Sequence, residues 1–490
     1  MLKNLRSESL PEIIYAEDDV KSSRLLSQLV KEGKLRLLIP KVYTSDFTDS
    51  DENIVRRNLW SLLGHLYPKA VISHRSALEF RASPLGNVYL TFSYRRVLRW
   101  PGVTIRLAKG PGPLTDDSPM YDGLFASSLE RSCLENLTAG RTVEGEKRTL
   151  EKQAVEDKIA ELLRSKGREA LNAFRDRARV IAKECGWGKS FKSLNGIVSS
   201  LLATKPVGGL SSPEAIALAL GTPYDNNRVQ LFEKLVGELR HGTLQVREEK
   251  TITPDSFRLF AFFESFFSNY IEGTTFPLED AREIIESGRP QKARPADSHD
   301  ILGTYAVCSD AKEMSRLPAD GEDFLDILRR RHGVLMRGRP DMIPGGFKVR
   351  ANRAGNSVFV DPKLVPATLM KGFELFPLLP SPLARALYMM FLVSEVHPFE
   401  DGNGRVARLM MNAELTAAGQ AKIIIPTVYR DDYLLNLRRL TRKHDPRPYI
   451  RMMDRAHAFS HWLEPSTYHE LKIQLEESYA FVEEGKALVF

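Results

Sequence analysis

Cysteine is scarce in this chain of 490 residues. The three cysteines, Cys133, Cys185 and Cys308, are far apart and odd in number, which argues against a disulfide framework and against a thiolate metal site. Such usage is typical of reducing compartments, so we expect a cytoplasmic protein.

Long apolar segments are also missing. The first residues, MLKNLRSESLPEII, lack the apolar core of a signal peptide. No stretch reaches the roughly 18 consecutive apolar residues that a membrane-spanning helix needs. The sequence therefore predicts a soluble protein with no membrane partner.

Two common ligand-binding motifs are absent from the sequence. The triplet Gly188-Lys189-Ser190 resembles the end of a P-loop, but Lys183 stands where that loop requires glycine. No group of His and Cys residues has the spacing of zinc ligands.

Positive charge is unevenly distributed along the chain. The net charge is +7, and residues 1–110 contain 18 Lys and Arg against 11 Asp and Glu, so this segment carries the whole excess. A basic segment on an otherwise balanced chain indicates a polyanionic partner, most simply nucleic acid. The alternative is a basic surface that contacts only solvent.

The pattern of residues 10–45 predicts a short helix, a turn, a second helix and a strand pair. In SSRLLSQLVKEGKLRLLIPKVY, apolar residues at 25, 26, 29 and 30 form a helical stripe, and Gly33 is typical of a helix end. This order predicts a winged helix-turn-helix over residues 1–48 that binds DNA through its second helix. Four polar side chains on that helix are the candidate DNA contacts: Lys21, Arg24, Gln28 and Lys31. The alternative is a winged module that contacts only protein.

The segments LLSQLVKEGKLRLLIPKVY and KAVISHRSAL resemble the antitoxins of abortive-infection toxin–antitoxin pairs, which join a DNA-binding winged helix to a further domain. The resemblance covers residues 1–250. It implies double-stranded DNA as a partner and repression of the chain's own operon.

The rest of the chain divides into four segments. A small α/β segment, residues 49–112, precedes a helical middle domain, residues 113–250. Strongly apolar helices dominate residues 251–465, and residues 466–490 form a helical tail. The sequence therefore predicts a mainly α fold in a multidomain α+β chain. GRPQKARPADSHD, residues 288–300, predicts a loop between helices.

HPFEDGNGRVAR, residues 397–408, follows the helix SPLARALYMMFLVSEV, which has Ser381 as its expected N-cap and Pro382 at its first position. This helix is apolar on nearly every face and must be central. Pro398 disfavours helical geometry for His397, so we expect that imidazole where the buried helix ends. A neutral imidazole can accept a hydroxyl proton. The alternative is a structural histidine.

The residues after His397 predict an anion site. Asp401 opens a tight turn, Gly402 to Gly404, whose converging amides precede a new helix start. Arg405 and Arg408 lie on one face of its first turn, where cations cost up to about 1 kcal/mol unless an anion offsets them. Polyphosphate suits these guanidinium groups, and a single carboxylate suits Mg²⁺.

This stretch matches the Fic family signature HPFx[DE]GNGRxxR at every specified position. Most of the family transfers AMP from ATP to a Ser, Thr or Tyr hydroxyl of a protein and releases pyrophosphate. The resemblance implies that His397 deprotonates the target, Asp401 holds Mg²⁺ and Arg408 fixes the γ-phosphate. It assigns the α- and β-phosphates to four consecutive residues: Gly402, Asn403, Gly404 and Arg405. An offshoot that phosphorylates its targets departs from the GNG and the second arginine, both of which this chain keeps.

The resemblance extends over residues 251–465 and includes PGGFKVRANRAGNSVFVDP, residues 344–362. Alternation in FKVR and VFV around the turn-forming AGN predicts a β-hairpin. In the family this flap aligns the target as an extra strand. The alternative is an ordinary hairpin.

SNYIEG, residues 268–273, fits the inhibitory pattern [ST]xxxE[GN] of many Fic proteins. Glu272 lies near a helix C-terminus, where its charge needs a cationic partner, and Arg408 has spare donors. If the two residues pair, Arg408 cannot reach the γ-phosphate. Ser268 could hold the carboxylate by a hydrogen bond. The alternative is a plain helix end at Gly273.

Two further functions stay open. The site could transfer another phosphate-linked group or remove AMP, and the chain could be a DNA-binding regulator whose Fic part senses nucleotide. The expected ligands are ATP as substrate and Mg²⁺, and the expected partner is a protein, which could be a second copy of this chain in an oligomer.

Overall fold

The structure is a computed structural model that describes residues 10–17, 19–204, 207–251, 253–355, 357–483 and 485–490. The chain forms two compact units, Met1–Leu220 and Gly221–Phe490. Each unit has apolar cores of its own. As predicted, the fold is mainly α, with small sheets. No helix among the described residues is both long and apolar enough to cross a bilayer.

The first unit begins with a small sheet and one helix. The elements are β1 (Ile13–Tyr15), α1 (Val20–Lys31), β2 (Arg36–Ile39) and β3 (Val42–Thr44), and the antiparallel strand order is β1-β3-β2. Asp19 caps α1 by accepting from the amides of Lys21 and Ser22.

The short first helix predicted within residues 10–45 is wrong, because Ile13–Tyr15 form β1. Two isoleucines and a tyrosine favour extended backbone, and pairing with Val42–Thr44 satisfies their peptide groups. Between residue 10 and the β2–β3 hairpin, the described residues form one helix instead of two. The winged-helix assignment stays a prediction, and residues 1–9 lie outside the described residues.

A six-stranded sheet with the order β6-β7-β5-β4-β9-β8 follows. Side chains of β5 and β7 pack against apolar residues of α2 in one core. The elements of this part are α2 (Asp51–Leu66), β4 (Val71–Ile72), α3 (His74–Glu79), β5 (Asn87–Phe92), β6 (Arg96–Trp100), β7 (Val103–Lys109), β8 (Ser118–Pro119) and β9 (Phe125–Ala126).

The remainder of the first unit is helical except for one hairpin. Its elements are α4 (Leu129–Asn136), β10 (Thr142–Val143), β11 (Glu146–Lys147), α5 (Lys152–Glu184), α6 (Gly188–Leu201) and α7 (Pro213–Ala219). β10 and β11 pair antiparallel. Helices α4 to α7 share a separate apolar core.

The second unit is a helical assembly. Its helices are α8 (Asn226–His241), α9 (Pro254–Ile271), α10 (Leu278–Ser287), α11 (Pro295–Cys308), α12 (Ala311–Met314), α13 (Gly321–Leu335), α14 (Val365–Phe373), α15 (Pro382–Val396), α16 (Asn403–Ala417), α17 (Arg430–Lys443), α18 (Arg447–Trp462) and α19 (Tyr468–Glu477). Helix α8 belongs to its core, although the sequence placed residues 226–241 in the middle segment. The predicted loop 288–300 is shorter than expected, because Pro295 starts α11.

Helix α15 lies at the centre of this unit. Ser381 caps it by accepting from the amide of Ala384 at 3.2 Å, and Pro382 occupies its first position, as predicted. Most of its residues are buried, and α16 packs closely along it as an antiparallel partner. The turn between these two helices contains residues 397–402.

The predicted hairpin is present but shorter than expected. β12 (Arg353–Ala354) pairs with β13 (Ser357–Val358), and Asn356 of the predicted turn lies outside the described residues. FKVR, residues 347–350, is not a strand. Its backbone instead follows the loop after α15, since the Lys348 amide donates to Pro398 O at 2.9 Å.

Close packing of α11 against α13 requires a residue without a side chain at Gly303, in the middle of α11. A Cβ at this position would overlap the Leu335 carbonyl at the end of α13. We expect Gly303→Ala to destabilise the second unit by about 1–3 kcal/mol through overpacking. Calorimetric unfolding measures the change. In the control Gly237→Ala, the new Cβ in α8 meets nothing within 4 Å, so higher helix propensity should stabilise slightly. Equal effects of both changes would contradict the packing argument.

Candidate active site

His397 ends α15 at the edge of the central core. Its backbone leaves the helix at φ 54° and ψ 61°, while its amide still donates to Val393 O at 3.0 Å. Nδ1 lies 3.2 Å from Ser394 O. Because a carbonyl oxygen only accepts, Nδ1 carries the proton and Nε2 is left as an acceptor. Burial lowers the pKa of His397 to about 4, so the ring is neutral at physiological pH.

The turn after His397 is held by the side chain of Asn403. Its Oδ1 accepts from the Phe399 amide at 2.8 Å, and its Nδ2 donates to Phe399 O at 2.9 Å. Phe399 is fully buried and fixes the turn to the core. Both polar atoms of the Asn403 side chain thus bond to the Phe399 backbone and close the turn.

Helix α16 begins without a side-chain cap. Its N-cap is Gly402, at φ 74°, where a Cβ would come within 2.9 Å of Met336 Sδ. The Asp401 carboxylate accepts from the Gly402 amide at 2.7 Å instead of capping the helix. The first-turn amides of Asn403, Gly404 and Arg405 thus stay open to an anion.

Arg408 is buried and connects α16 to the end of α9. Its Nε donates to Ser268 Oγ at 2.9 Å, and its Nη2 donates to Ser268 O at 2.8 Å and to Glu272 Oε1 at 2.7 Å. Its Nη1 lies 3.4 Å from the hydroxyl of Tyr433. The structure thus brings Ser268, Glu272 and Arg408 together, but the Ser268 hydroxyl accepts from the arginine rather than bonding the carboxylate.

Glu272 reaches Arg408 because α9 ends at that residue. Gly273 adopts φ 91° just after it, and the Thr274 amide returns to Asn269 O at 3.1 Å. The carboxylate lies directly against Gly404, where a Cβ would overlap Glu272 Oε1. In this structure, Glu272 thus places a carboxylate at the open end of α16.

Arg405, three residues before Arg408 on α16, is also buried. Its Nη1 lies 2.9 Å from Asp300 Oδ2 and 3.4 Å from Asn269 Oδ1, and its Nη2 lies 3.6 Å from Asp401 Oδ2. Asp300 also accepts from Arg339 at 3.3 Å. The Arg405 guanidinium is thus engaged by protein groups, and it acts on the helix end through its charge.

Asp401 keeps an accessible carboxylate, with 43% of its side chain exposed. The backbone carbonyl of Asp401 accepts from His332 Nε2 at 3.0 Å, and His332 Nδ1 accepts from the backbone amide of Gly345. Burial lowers the pKa of His332 to about 4, so this ring is a neutral spacer. No cluster of three or more metal-ligating side chains exists among the described residues. One partly exposed carboxylate beside an open helix end still fits Mg²⁺, which takes its other ligands from phosphates and water.

A cavity of about 220 Å³ joins these groups, and its lining includes His397, Gly404, Arg408, Glu272 and Tyr433. This volume is below the roughly 300–1,000 Å³ of typical small-molecule pockets. Glu272 lines one side. Phe359, which follows β13, stacks on His397 with ring centroids 3.7 Å apart and planes inclined by 6°. Both side chains reduce the space beside the imidazole.

The hairpin is attached to the site by polar contacts. Arg228 of α8 pairs with Glu395 of α15 and donates to Val358 O at 2.6 Å. Arg442 of α17 donates to Ser357 Oγ at 3.0 Å. These contacts hold β13 beside the cavity.

The four candidate DNA contacts lie on α1 in the first unit, and all are exposed. Gln28 donates to Glu32 at 2.8 Å. Lys21, Arg24 and Lys31 form no ion pair within the described part of the chain. Glu17 and Asp19 share the same surface, which reduces its positive potential. DNA contact by this helix stays a prediction.

Comparison with known sequences identifies the motif region. Residues 323–415 match the sequence pattern of the Fic/DOC family. The chain contains a Fic domain. This match spans α13 to α16 and so includes the turn that carries His397.

Curated relatives match the Fic domain and its surroundings. Protein adenylyltransferase Fic of Drosophila persimilis is 34% identical over 198 residues, which are 37% of this chain and 36% of that protein. The protein of the same name from Drosophila melanogaster is 33% identical over 198 residues, 37% of this chain and 38% of that protein. The chain thus spans little more than a third of the length of these relatives.

Solved Fic structures are more distant. A fragment of Fic-1 from C. elegans is 19% identical, covers 66% of this chain and 88% of its own, and has a TM-score of 0.34. A Fic family protein from Desulfovibrio desulfuricans G20 is 21% identical, covers 52% of this chain and 76% of its own, and has a TM-score of 0.35.

Several residues of the Fic domain site were missed by the sequence analysis. Asp300 lay in a predicted loop, and Tyr433 lay in a segment that matched the family without assigned roles. His332 and Phe359 contact the motif through rings, which leave no periodic signal. In the sequence, only the presence of polar or aromatic residues in apolar surroundings could have indicated these four positions.

Asp300 provides a test of the buried charges. Burial raises the pKa of Asp300 despite Arg405 beside it, so Asn at this position relieves a desolvation cost. Arg405 cannot lose its proton and would then lack its nearest counter-charge. We expect the second effect to dominate, with Asp300→Asn destabilising the Fic domain by about 3 kcal/mol in calorimetric unfolding.

The matched control for Asp300→Asn is Asp255→Asn, since the Asp255 side chain is 94% exposed in its pair with Arg258. It should unfold close to the unaltered chain. An Asp300→Asn chain as stable as this control would show that Arg405 does not need the carboxylate.

Proposed function

We propose that the Fic domain transfers AMP from ATP to a hydroxyl side chain of a protein, and that the Glu272–Arg408 pair restrains this reaction. One observation carries the proposal: His397, with its acceptor nitrogen Nε2, and Gly404, at the open N-terminus of α16, line the same cavity. A proton acceptor beside an anion site is what attack on a phosphate requires. The relatives named protein adenylyltransferase Fic support the same reaction.

The proposed reaction divides between His397 and the helix end. The target hydroxyl oxygen bonds to the α-phosphorus of ATP, the bond from that phosphorus to the bridging oxygen breaks, and pyrophosphate leaves. The hydroxyl proton passes to Nε2 of His397. Nδ1–H stays bonded to Ser394 O throughout, which fixes the ring and its tautomer.

Phosphate binding is proposed to depend on backbone more than on side chains. The amides of Asn403, Gly404 and Arg405 are free of intrahelical partners and lie at the positive end of α16. The charge of the buried Arg405 adds to the positive potential at that helix end. Asp401 would hold Mg²⁺, which supplies neutralisation of phosphate charge when bound.

Restraint is proposed to arise from competition for Arg408. The resemblance assigns this arginine to the γ-phosphate, but here its Nη2 already donates to Glu272. The Glu272 carboxylate also lies against Gly404, so it repels phosphate from the helix end. Ser268 holds the guanidinium through two hydrogen bonds and keeps Arg408 directed toward Glu272.

Removal of the Glu272 carboxylate tests the proposed restraint. We expect Glu272→Gly to raise self-modification with labelled ATP by about tenfold or more, because a hydrogen bond between charged groups contributes about 1.5 kcal/mol or more. Adding His397→Ala to Glu272→Gly should abolish the signal. Mass spectrometry of the modified peptides should show the mass of AMP.

The matched control is Glu283→Gly, which removes an exposed glutamate from α10. It should behave as the unaltered chain. Equal activity of the Glu272→Gly and unaltered chains would reject the restraint. Another attached mass would reject AMP as the group transferred, and loss of AMP from premodified protein would favour AMP removal.

The pKa of His397 predicts an unusual pH profile. Its folded value of about 4 lies below the ordinary value of about 6.5, so the neutral base persists below pH 6.5 and is lost as pH falls through about 4. Glu272 raises this pKa, so Glu272→Gly keeps it low. At pH 5 about 90% of such a base is neutral, against about 3% at a pKa of 6.5. We therefore expect initial rates of Glu272→Gly at pH 5 and 7.5 within about twofold.

Acid stability must be checked in the same experiment. A depressed histidine pKa contributes stability that is present above pH 6.5 and is lost toward pH 4. Enzyme is therefore also held at pH 5 and assayed at pH 7.5, where a retained rate shows that the fold survived. A tenfold or larger loss at pH 5 with full recovery at pH 7.5 would show that His397 titrates normally.

A further inference from the structure

A cleft of about 610 Å³ lies in the first unit, between the sheet and the β10–β11 hairpin. One wall is formed by β5, β6 and β7, and the other by the hairpin and the residues that flank it. The AMP-transfer proposal makes no use of this cleft. Five basic side chains line it: Arg95, Arg106, Lys109, Arg141 and Arg148.

Four of these cations have no acidic partner in the described part of the chain. Arg106 is neutralised, because it pairs with Glu144 and donates to Asn87. Arg95, Lys109, Arg141 and Arg148 form no ion pair and no side-chain hydrogen bond there, and the first three are exposed.

The acidic side chain in the cleft is already neutralised. Glu146 pairs with Arg75 at 2.9 Å and accepts from Ser83, Asn87 and Tyr89 at 2.6, 2.9 and 3.1 Å. Its carboxylate is buried, so it cannot offset the four free cations. The cleft therefore carries an uncompensated positive charge.

Strand register places one like-charge pair across the base of the hairpin and leaves two further cations at one end of the sheet wall. Arg96 pairs with Leu107, which puts Arg95 beside the Ala108–Lys109 end of β7. Thr142 pairs with Lys147, which puts Arg141 beside Arg148 at the base of the hairpin. Neighbouring like charges on paired strands are unfavourable. An anion bound between the two walls would turn this repulsion into attraction.

A basic edge strand has a simpler role, since Lys and Arg on an edge discourage pairing between molecules. That role could explain the arginines around β6, which lies at the edge of the sheet. It does not explain Arg141 and Arg148, because they come from the opposite wall. Cations on both sides of one cleft indicate a ligand.

We propose that this cleft binds the phosphate backbone of a nucleic acid. Cations on two walls suit a chain of phosphates better than a single one. Tyr94, next to Arg95, is 42% exposed, and its ring is held edge-on to Phe92 at 4.9 Å. An exposed ring beside the cations offers a face for a base, which an acidic peptide would not use.

The test uses the full chain and fluorescence anisotropy with labelled RNA, single-stranded DNA and duplex DNA of equal length. Labelled polyglutamate is the probe for an acidic peptide. The cleft variant Arg95→Gln/Arg141→Gln removes one exposed cation from each wall. We expect it to weaken binding of the preferred nucleic acid by about tenfold and to reduce the slope of log K against log salt by about 1.4–1.8.

Two double variants serve as controls of equal charge. Arg56→Gln/Arg240→Gln removes exposed cations outside the cleft and should bind as the unaltered chain. Arg24→Gln/Lys31→Gln tests the α1 surface. Unfolding temperatures confirm that each variant is folded, and AMP transfer by the Glu272→Gly chain with and without the cleft changes should be equal.

Each outcome of the binding experiment either supports or overturns the proposal. Tighter binding of any of the three nucleic acids than of polyglutamate, lost in the cleft variant alone, supports the proposal. Equal binding of polyglutamate overturns it in favour of an acidic peptide. Loss in the α1 variant but not in the cleft variant overturns it in favour of the helix surface, and no binding by the unaltered chain overturns it outright.

Discussion

The Fic domain site depends on two hydrogen bonds between Asn403 and the backbone of Phe399. They close the turn between α15 and α16 while Phe399 fixes it to the core. Because of this closure, His397 is placed at the end of one buried helix and the free amides of α16 are placed beside it. The imidazole and these amides are thus positioned by closely packed helices of the core. The flap adds Phe359, which stacks on the imidazole.

Two buried arginines on α16 need counter-charges, and both come from other helices. Arg408 is balanced by Glu272 from the end of α9, and Arg405 by Asp300 from α11. A helix N-terminus repels cations, so these carboxylates also stabilise the fold around the site. The two pairs differ in one respect. Asp300 is buried, whereas the Glu272 side chain is 33% exposed. An exposed carboxylate can leave its partner at lower cost, which makes the Glu272 pair suited to a restraint and the Asp300 pair suited to permanent support.

The motif could be recognised from the sequence because its residues are neighbours along the chain. A histidine before proline, glycines in a turn and a helix start are neighbours along the chain, so 397–408 indicated the site directly. The partners of that motif could not be predicted, since Asp300 and Tyr433 reach it only through packing between helices that are distant in sequence.

The wrong prediction of a helix where Ile13–Tyr15 form a strand has a similar origin. Ile13–Tyr15 are apolar enough for helix or strand, and pairing with Val42–Thr44 decides between them. Residues 1–110 contribute Arg95, Arg106 and Lys109 to the cleft, while Arg141 and Arg148 come from the hairpin beyond that segment, a grouping that helical periodicity could not indicate.

Gly404 lacks the side-chain atom that would otherwise separate α16 from the glutamate of α9. The same bare backbone is what a phosphate would approach. Substitutions at this residue therefore cannot relieve the proposed inhibition without also obstructing the proposed nucleotide site. Changes that tune the proposed restraint have to act on the end of α9, at Ser268, Glu272 or Gly273, which leaves the backbone of α16 unaltered.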